Sequence, residues 1–169
     1  MKHLKIFSLL FLVAALMVLT NCGKDDTGPK IDPQLQAAGN SLIAGEWVPT
    51  SVTFQGSPRA EWDQFKLSFT VNEEYTGGTY TSTGYPEEDE DMAVWKASGT
   101  WSFVENSDGT YSPNKLIKDG NETEEINMVV LVDDPDNPTS GDLSLVFFVA
   151  EPSARTAFVG GEWEFNMEF

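Results

Sequence analysis

The chain has 169 residues, with 27 Asp and Glu against 10 Lys and Arg, one His and one Cys. A net charge of −17 repels phosphate backbones, so nucleic acid is excluded as an expected partner. One Cys allows neither an intrachain disulfide nor a Cys-based zinc site, and His3 lies in a segment expected to be removed. Without that His, neither a Ser-His-Asp nor a Cys-His triad is available.

Residues 1–21 read as a secretory signal. Lys2 and Lys5 give a positive start, and residues 6–19 are almost wholly apolar. That run of about 14 residues is short of the ~20 that span a bilayer. It ends in Leu19-Thr20-Asn21-Cys22, which resembles the bacterial lipobox, where the Cys is acylated and becomes the first residue. The resemblance implies an anchor of two or three acyl chains on Cys22, enough for stable membrane attachment. Lys24, Asp25 and Asp26 follow and resemble the short Lys-acid-acid signal that sends Bacteroidota lipoproteins to the cell surface. The alternative is a plain solvated spacer facing the periplasm.

Residues 22–40 read as tether. Within them, residues 33–38 can form one or two helical turns, with Gly39-Asn40 as the stop. From residue 41 to 169 the pattern is short strands broken by turns, one domain. Residues 47–54 form the first strand, in which Pro49 predicts a bulge or an edge. Residues 65–71, 75–82, 93–104 and 111–117 continue the series. Residues 126–132 and 143–149 begin by alternating and then turn apolar on both faces, as expected of strands inside the sheet or under a covering segment. The last strand alternates throughout, with Trp163, Phe165, Met167 and Phe169 on one face and Glu162, Glu164, Asn166 and Glu168 on the other. Asn106-Ser107-Asp108-Gly109 and Lys118-Asp119-Gly120-Asn121 are hairpin turns. The fold class is therefore all-β: an antiparallel up-and-down barrel of about eight strands.

Gly45-Glu46-Trp47 opens the domain behind a short helical turn, a pattern similar to the start of lipocalins. The remainder resembles the lipocalin-like lipoproteins of Bacteroidota. The matching pieces are Ser51-Val52-Thr53-Phe54, Glu61-Trp62, Ser98-Gly99-Thr100-Trp101-Ser102-Phe103, Ala154-Arg155-Thr156 and Gly161-Glu162-Trp163-Glu164-Phe165. The resemblance implies that Trp47 packs across the closed end, with Gly45, Trp101 and Trp163 part of the barrel-closing core. It also implies carriage of a small apolar molecule. The lipocalin disulfide has no counterpart, and Arg155 precedes the last strand whereas the Arg that stacks on the lipocalin Trp follows it.

Candidate sites are few. Trp62, Tyr80, Tyr85 and Trp95 fall on no clearly buried face, so they are candidate ligand contacts, for a glycan above all. The acidic stretches 87–91 and 133–142 lack EF-hand spacing, and no metal or other cofactor is expected. The expected inward set is dominated by large aromatics, so the interior should be packed, with at most a shallow pocket at the end away from Trp47. The expected role is non-enzymatic: ligand binding or an accessory function at the outer membrane, or a structural place in a membrane protein complex.

Overall fold

A computed structural model of the chain describes residues 30–86, 94–150 and 160–169. Cys22, Lys24, Asp25, Asp26, Arg155 and the acidic stretch 87–91 lie outside the described residues. The compact unit runs from Ile31 to Phe169.

It begins with helix α1 (Pro33–Leu42). The Asp32 side chain accepts from Gln34 N at 2.8 Å and Pro33 pre-sets the first turn. Gly39 does not end this helix, contrary to the sequence reading. A Cβ there would meet Tyr75 at 2.9 Å, so Gly39 serves close packing on the loop that carries Tyr75 instead. Leu35 and Leu42 are buried, and α1 lies against the strands Tyr111–Lys118 and Glu125–Val132.

Among the described residues nine antiparallel strands follow: β1 (Val48–Phe54), β2 (Ser57–Pro58), β3 (Lys66–Phe69), β4 (Gly77–Thr83), β5 (Ser98–Glu105), β6 (Tyr111–Lys118), β7 (Glu125–Val132), β8 (Gly141–Val149) and β9 (Gly161–Glu168). From β3 to β9 each strand pairs with the next, and β9 pairs with β1. The sheet curls until its ends meet at a single antiparallel bridge, Trp47 to Leu67, with N···O distances of 2.8 and 3.0 Å. The result is an up-and-down barrel of lipocalin-like architecture, with β2 as a two-residue hairpin partner of β1. Asp119 and Gly120 both have positive φ (55° and 70°) and make a tight turn closed by Asn121 N on Lys118 O at 3.0 Å, but the connection runs on to Glu124 before β7, so it is not a two-residue hairpin.

Two irregularities shape the barrel. β1 shifts register between Pro49 and Ser51, the bulge that Pro49 predicts. β6 loops out beside Pro113, so that Phe103 faces Leu116 while the next residue, Val104, faces Ser112. Pro113 has no N–H to give the ladder. Outside this bulge lies an open groove of about 640 Å³, lined among others by Thr76, Ser102, Tyr111 and Glu125.

The alternation of β9 holds as read: Trp163, Phe165 and Met167 are buried and Glu162 and Glu168 are exposed. The lower end of the barrel is closed by Trp47, whose indole donates to Leu42 O at 2.8 Å and meets Phe169 edge-on at 4.8 Å. Trp163 lies toward the other end, where its ring packs on Phe54, Trp62 and Phe165 rather than on Trp47 or Trp101. Trp101 packs on Phe69 and Phe103 and donates to Thr70 O at 2.9 Å. β7 and β8 do lie inside the sheet, but their outward side chains Val129, Leu131 and Phe148 are about 60 % exposed (60 %, 64 % and 58 %).

Candidate binding site

The upper end of the barrel is where β1 ends, β9 begins and β6 turns into β7. Its interior is filled from an unexpected source. Trp62 sits on a single 3-10 turn (Ala60–Trp62) between β2 and β3. Above the Trp47–Leu67 bridge, β1 pairs with β2 and not β3, and the connection that follows carries Trp62 inward. There it meets Phe65, Trp163 and Phe165 at 5.2–5.4 Å between ring centroids.

Trp95 arrives in the same way. Residues 93–104 do not form one strand. β5 starts only at Ser98, and Val94 and Trp95 are buried ahead of it. This segment is pinned beside β4: Ser82 N donates to Ala97 O at 2.9 Å and Ser82 Oγ to Lys96 O at 2.6 Å. The Trp95 ring lies among Phe65, Tyr80, Phe147 and Phe165, at 5.2–6.4 Å.

Of the four candidate contact residues, Trp62, Tyr80 and Trp95 are therefore core residues, 1 %, 1 % and 3 % exposed. Tyr85 is half-buried and packs against the same core. They present no exposed aromatic platform. The sequence misplaces them because Trp62 and Trp95 lie on segments with no strand period, where alternation assigns no face.

Lys118 is a functional candidate that the sequence reading passes over. It is in phase with Leu116 and so points inward, 8 % exposed. Its ammonium donates to Val94 O and stands 4.7 Å above the Trp95 ring and 5.6 Å above that of Phe147. Burial holds its pKa down to about 8, against the opposing pull of the Asp119 and Glu124 charges. At the rim, Asp119 accepts from Tyr80 OH at 2.9 Å, from Lys96 Nζ at 3.1 Å and from Thr100 N at 3.1 Å. Partial burial raises its pKa, but these donors outweigh it and hold the carboxyl below its ordinary value. Burial, then the Asp119 hydrogen bond, pushes the Tyr80 phenol above its ordinary range.

A pH signature follows. In the unfolded chain Lys118 stays charged up to about 10.5, but in the fold it becomes neutral above about 8. Burying the charged form costs stability below pH 8, and that cost is relieved as pH rises through this window. Tyr80 acts in the opposite sense only above about pH 10, where an unfolded tyrosine ionises. Denaturant midpoints of the wild type and Lys118→Met at pH 7 and pH 9.5 should therefore converge or cross in favour of the wild type at the higher pH. A difference independent of pH contradicts a buried, titrating Lys118.

Three polar atoms of this end are unusual. The indole N–H groups of Trp62, Trp95 and Trp163 are buried and have no hydrogen-bond partner among the described residues. Each is a donor only. Arg59 covers the rim from outside, its guanidinium 5.0 Å from the Trp163 ring and paired with Glu61. An Arg thus stacks on a Trp here, but on Trp163 and not on the Trp47 that the lipocalin pattern points to.

Metal-ligating geometry is not found among the described residues, where no three acids or other ligands cluster. Asp133 uses its carboxylate to staple its own loop, accepting from Thr139 N, Thr139 Oγ1 and Ser140 N at 2.5–3.1 Å. No helix of the described residues is long and apolar enough to cross a membrane. Comparison of the chain with protein-family models, with curated proteins and with solved structures finds no match.

Proposed function

We propose that this protein is an exported, lipid-anchored, non-enzymatic binding protein of lipocalin-like type, attached to the outer membrane through Cys22. Its ligand site is the upper end of the barrel. The observation that carries this reading is the origin of the filling. Trp62 and Trp95 are delivered by connecting segments, not by strands of the ladder. A strand residue cannot leave the interior without breaking hydrogen-bonded pairs on both sides, whereas the segments that carry Trp62 and Trp95 lie outside the ladder, the latter held by the Ser82 hydrogen bonds to Lys96 O and Ala97 O and by Lys118 on Val94 O. The packed interior expected from the aromatic content is therefore a packed resting state with displaceable parts. The burial of Trp62, Tyr80 and Trp95 counts against the surface-glycan alternative.

A second reading has its own observation. Val129 and Leu131, two residues apart on β7, leave apolar side chains on the outer face, and Phe148 leaves another at the far end of β8; exposed apolar side chains of this kind suit a subunit contact in a membrane protein complex.

Both halves of the leading proposal are tested by native mass spectrometry of the protein extracted from its own cells. The mature chain should begin at an acylated Cys22 and carry a small molecule that unfolding releases. Cys22→Ser should lose the acyl mass and leave the membrane fraction while keeping the ligand. A chain that retains residues 1–21, or that partitions into detergent after the substitution, overturns the anchor; a folded chain without retained ligand counts against the carrier role.

A further inference from the structure

From the groove outside the β6 bulge, which is independent of the barrel interior, we infer that this protein docks an extended basic segment of a partner protein, in which Lys or Arg alternates with apolar residues. The groove is a product of the sheet. β6 loops out between Ser112 and Leu116, and the space of about 640 Å³ beside it is bounded by Asn106 and Ser107 of the β5–β6 turn and by Glu122 of the β6–β7 connection. Ser102, Ile117 and Glu125 face one another in register across its floor. From Thr76, beside β4, to Glu125 on β7 it crosses three strand spacings, or ~14 Å, the length of about four extended residues. An open trough of that length suits a chain lying along it.

The lining selects the chemistry of that chain. Three carboxylates face the groove, Glu105, Glu122 and Glu125, and no Lys or Arg does among the described residues. The nearby Lys115 gives its ammonium to Glu125 at 2.7 Å. Glu105 and Glu122 are exposed and enter no ion pair among the described residues. The rest of the lining is uncharged, and Val104, Tyr111 and Ile117 are only half-buried, which leaves apolar surface for a partner to cover. Unmatched negative charge over an apolar floor is complementary to a cation on an apolar stem. Lys and Arg carry that group, and the Tyr111 ring is a surface on which a cation rests. The net charge of −17 extends the attraction beyond contact distance.

In an extended chain, alternate side chains point opposite ways. Apolar residues two apart therefore face the floor, and the long basic stems between them bend back to the carboxylates of the rim. The walls are fixed before binding. Asn106 N donates to Thr110 O at 2.7 Å, Asn106 Nδ2 to Thr110 Oγ1 at 3.0 Å and Ser112 Oγ to Asn106 Oδ1 at 3.0 Å. On the other side Thr123 Oγ1 donates to Asn121 Oδ1 at 2.7 Å. Little ordering of the groove is left for the partner to impose.

The test is calorimetric titration of the full mature chain with acetyl-Lys-Leu-Lys-Leu-amide, acetyl-Lys-Gly-Lys-Gly-amide and acetyl-Glu-Leu-Glu-Leu-amide. The first should bind with a Kd of about 0.1–1 mM, as suits a short flexible peptide on an open surface. The glycine peptide should bind about tenfold more weakly, and the acidic peptide not measurably. Glu105→Gln and Glu122→Gln keep the shape and remove a charge, and each should weaken the first peptide about twofold to fivefold. Glu162→Gln and Glu168→Gln remove the same charge from exposed positions on β9, outside the groove, and should leave its binding unchanged. Equal weakening by the β9 variants assigns the binding to the overall field and overturns the groove. Equal binding of the leucine and glycine peptides overturns the apolar floor, and equal binding of the acidic peptide overturns the charge match. Absence of binding by all three overturns the inference and leaves the upper-barrel reading standing.

Discussion

Replacing Trp163 by Ala should cost about 3–5 kcal/mol, through lost transfer energy and the cavity left behind. That is a large part of the ~5–15 kcal/mol that holds a typical domain folded. Trp163 is fully buried and touches Phe54, Trp62 and Phe165, so no single neighbour can collapse into its place. Its neighbour Glu164 points to the outer face, where its carboxylate accepts from Asn166 Nδ2 at 2.9 Å. Glu164→Ala should stay within about 0.5 kcal/mol, as most surface changes do. The pair tests register as well as burial, because a one-residue slip of β9 exchanges the two outcomes. Chemical denaturation decides it: similar losses for both variants exclude a one-sided last strand.

Gly78→Ala should be nearly as damaging, although it adds a single methyl group. The new Cβ would lie 1.9 Å from Thr70 O, far inside contact distance. That carbonyl is also the acceptor for the Trp101 indole at 2.9 Å. The backbone of residue 70 must move away, and a half-buried hydrogen bond goes with it. Overpacking of this kind costs about 1–3 kcal/mol and the lost bond about 1 more, so a fall of roughly 2–4 kcal/mol is expected. Gly109 is the control. It has a positive φ of 80° but open space around it, so Gly109→Ala carries only the backbone term of about 1–2 kcal/mol. Thermal melts that rank the two variants the other way contradict the packing of β4 on the end of β3.

Strand content was legible wherever side chains alternate. β9 reads without error because one face is core and the other is solvent. Pro49 announces its own bulge because proline chemistry is local. The failures share a cause. Gly39 looks like a helix stop, yet its reason is the Tyr75 ring, which is remote in sequence and invisible to a local rule. The doubly apolar pattern of β7 and β8 is no failure, because both lie inside the sheet as read, with Val129, Leu131 and Phe148 exposed on its outer face. Trp62 and Trp95 belong to no periodic segment, and tertiary structure alone sends them inward. For Lys118 a signal did exist: it is in phase with Leu116 across a strand that ends in a tight turn. A lysine ordinarily argues for the wet face, and here the aromatic rings and the Val94 carbonyl overrule that expectation.

The pairing of the first strand with the last has a consequence in time. Every other ladder of the barrel joins consecutive strands, so those hairpins can form as soon as both arms exist. The β1–β9 ladder joins Val48 to Glu168 and Phe54 to Trp163, and no part of it can appear before the final stretch of chain is available. Until then β1 holds only its two-residue partner β2 and the single bridge at Trp47. The slow step of assembly is therefore the capture of β9 between β8 and β1. A chain interrupted before Gly161 keeps an open, apolar strand edge that invites pairing with other chains.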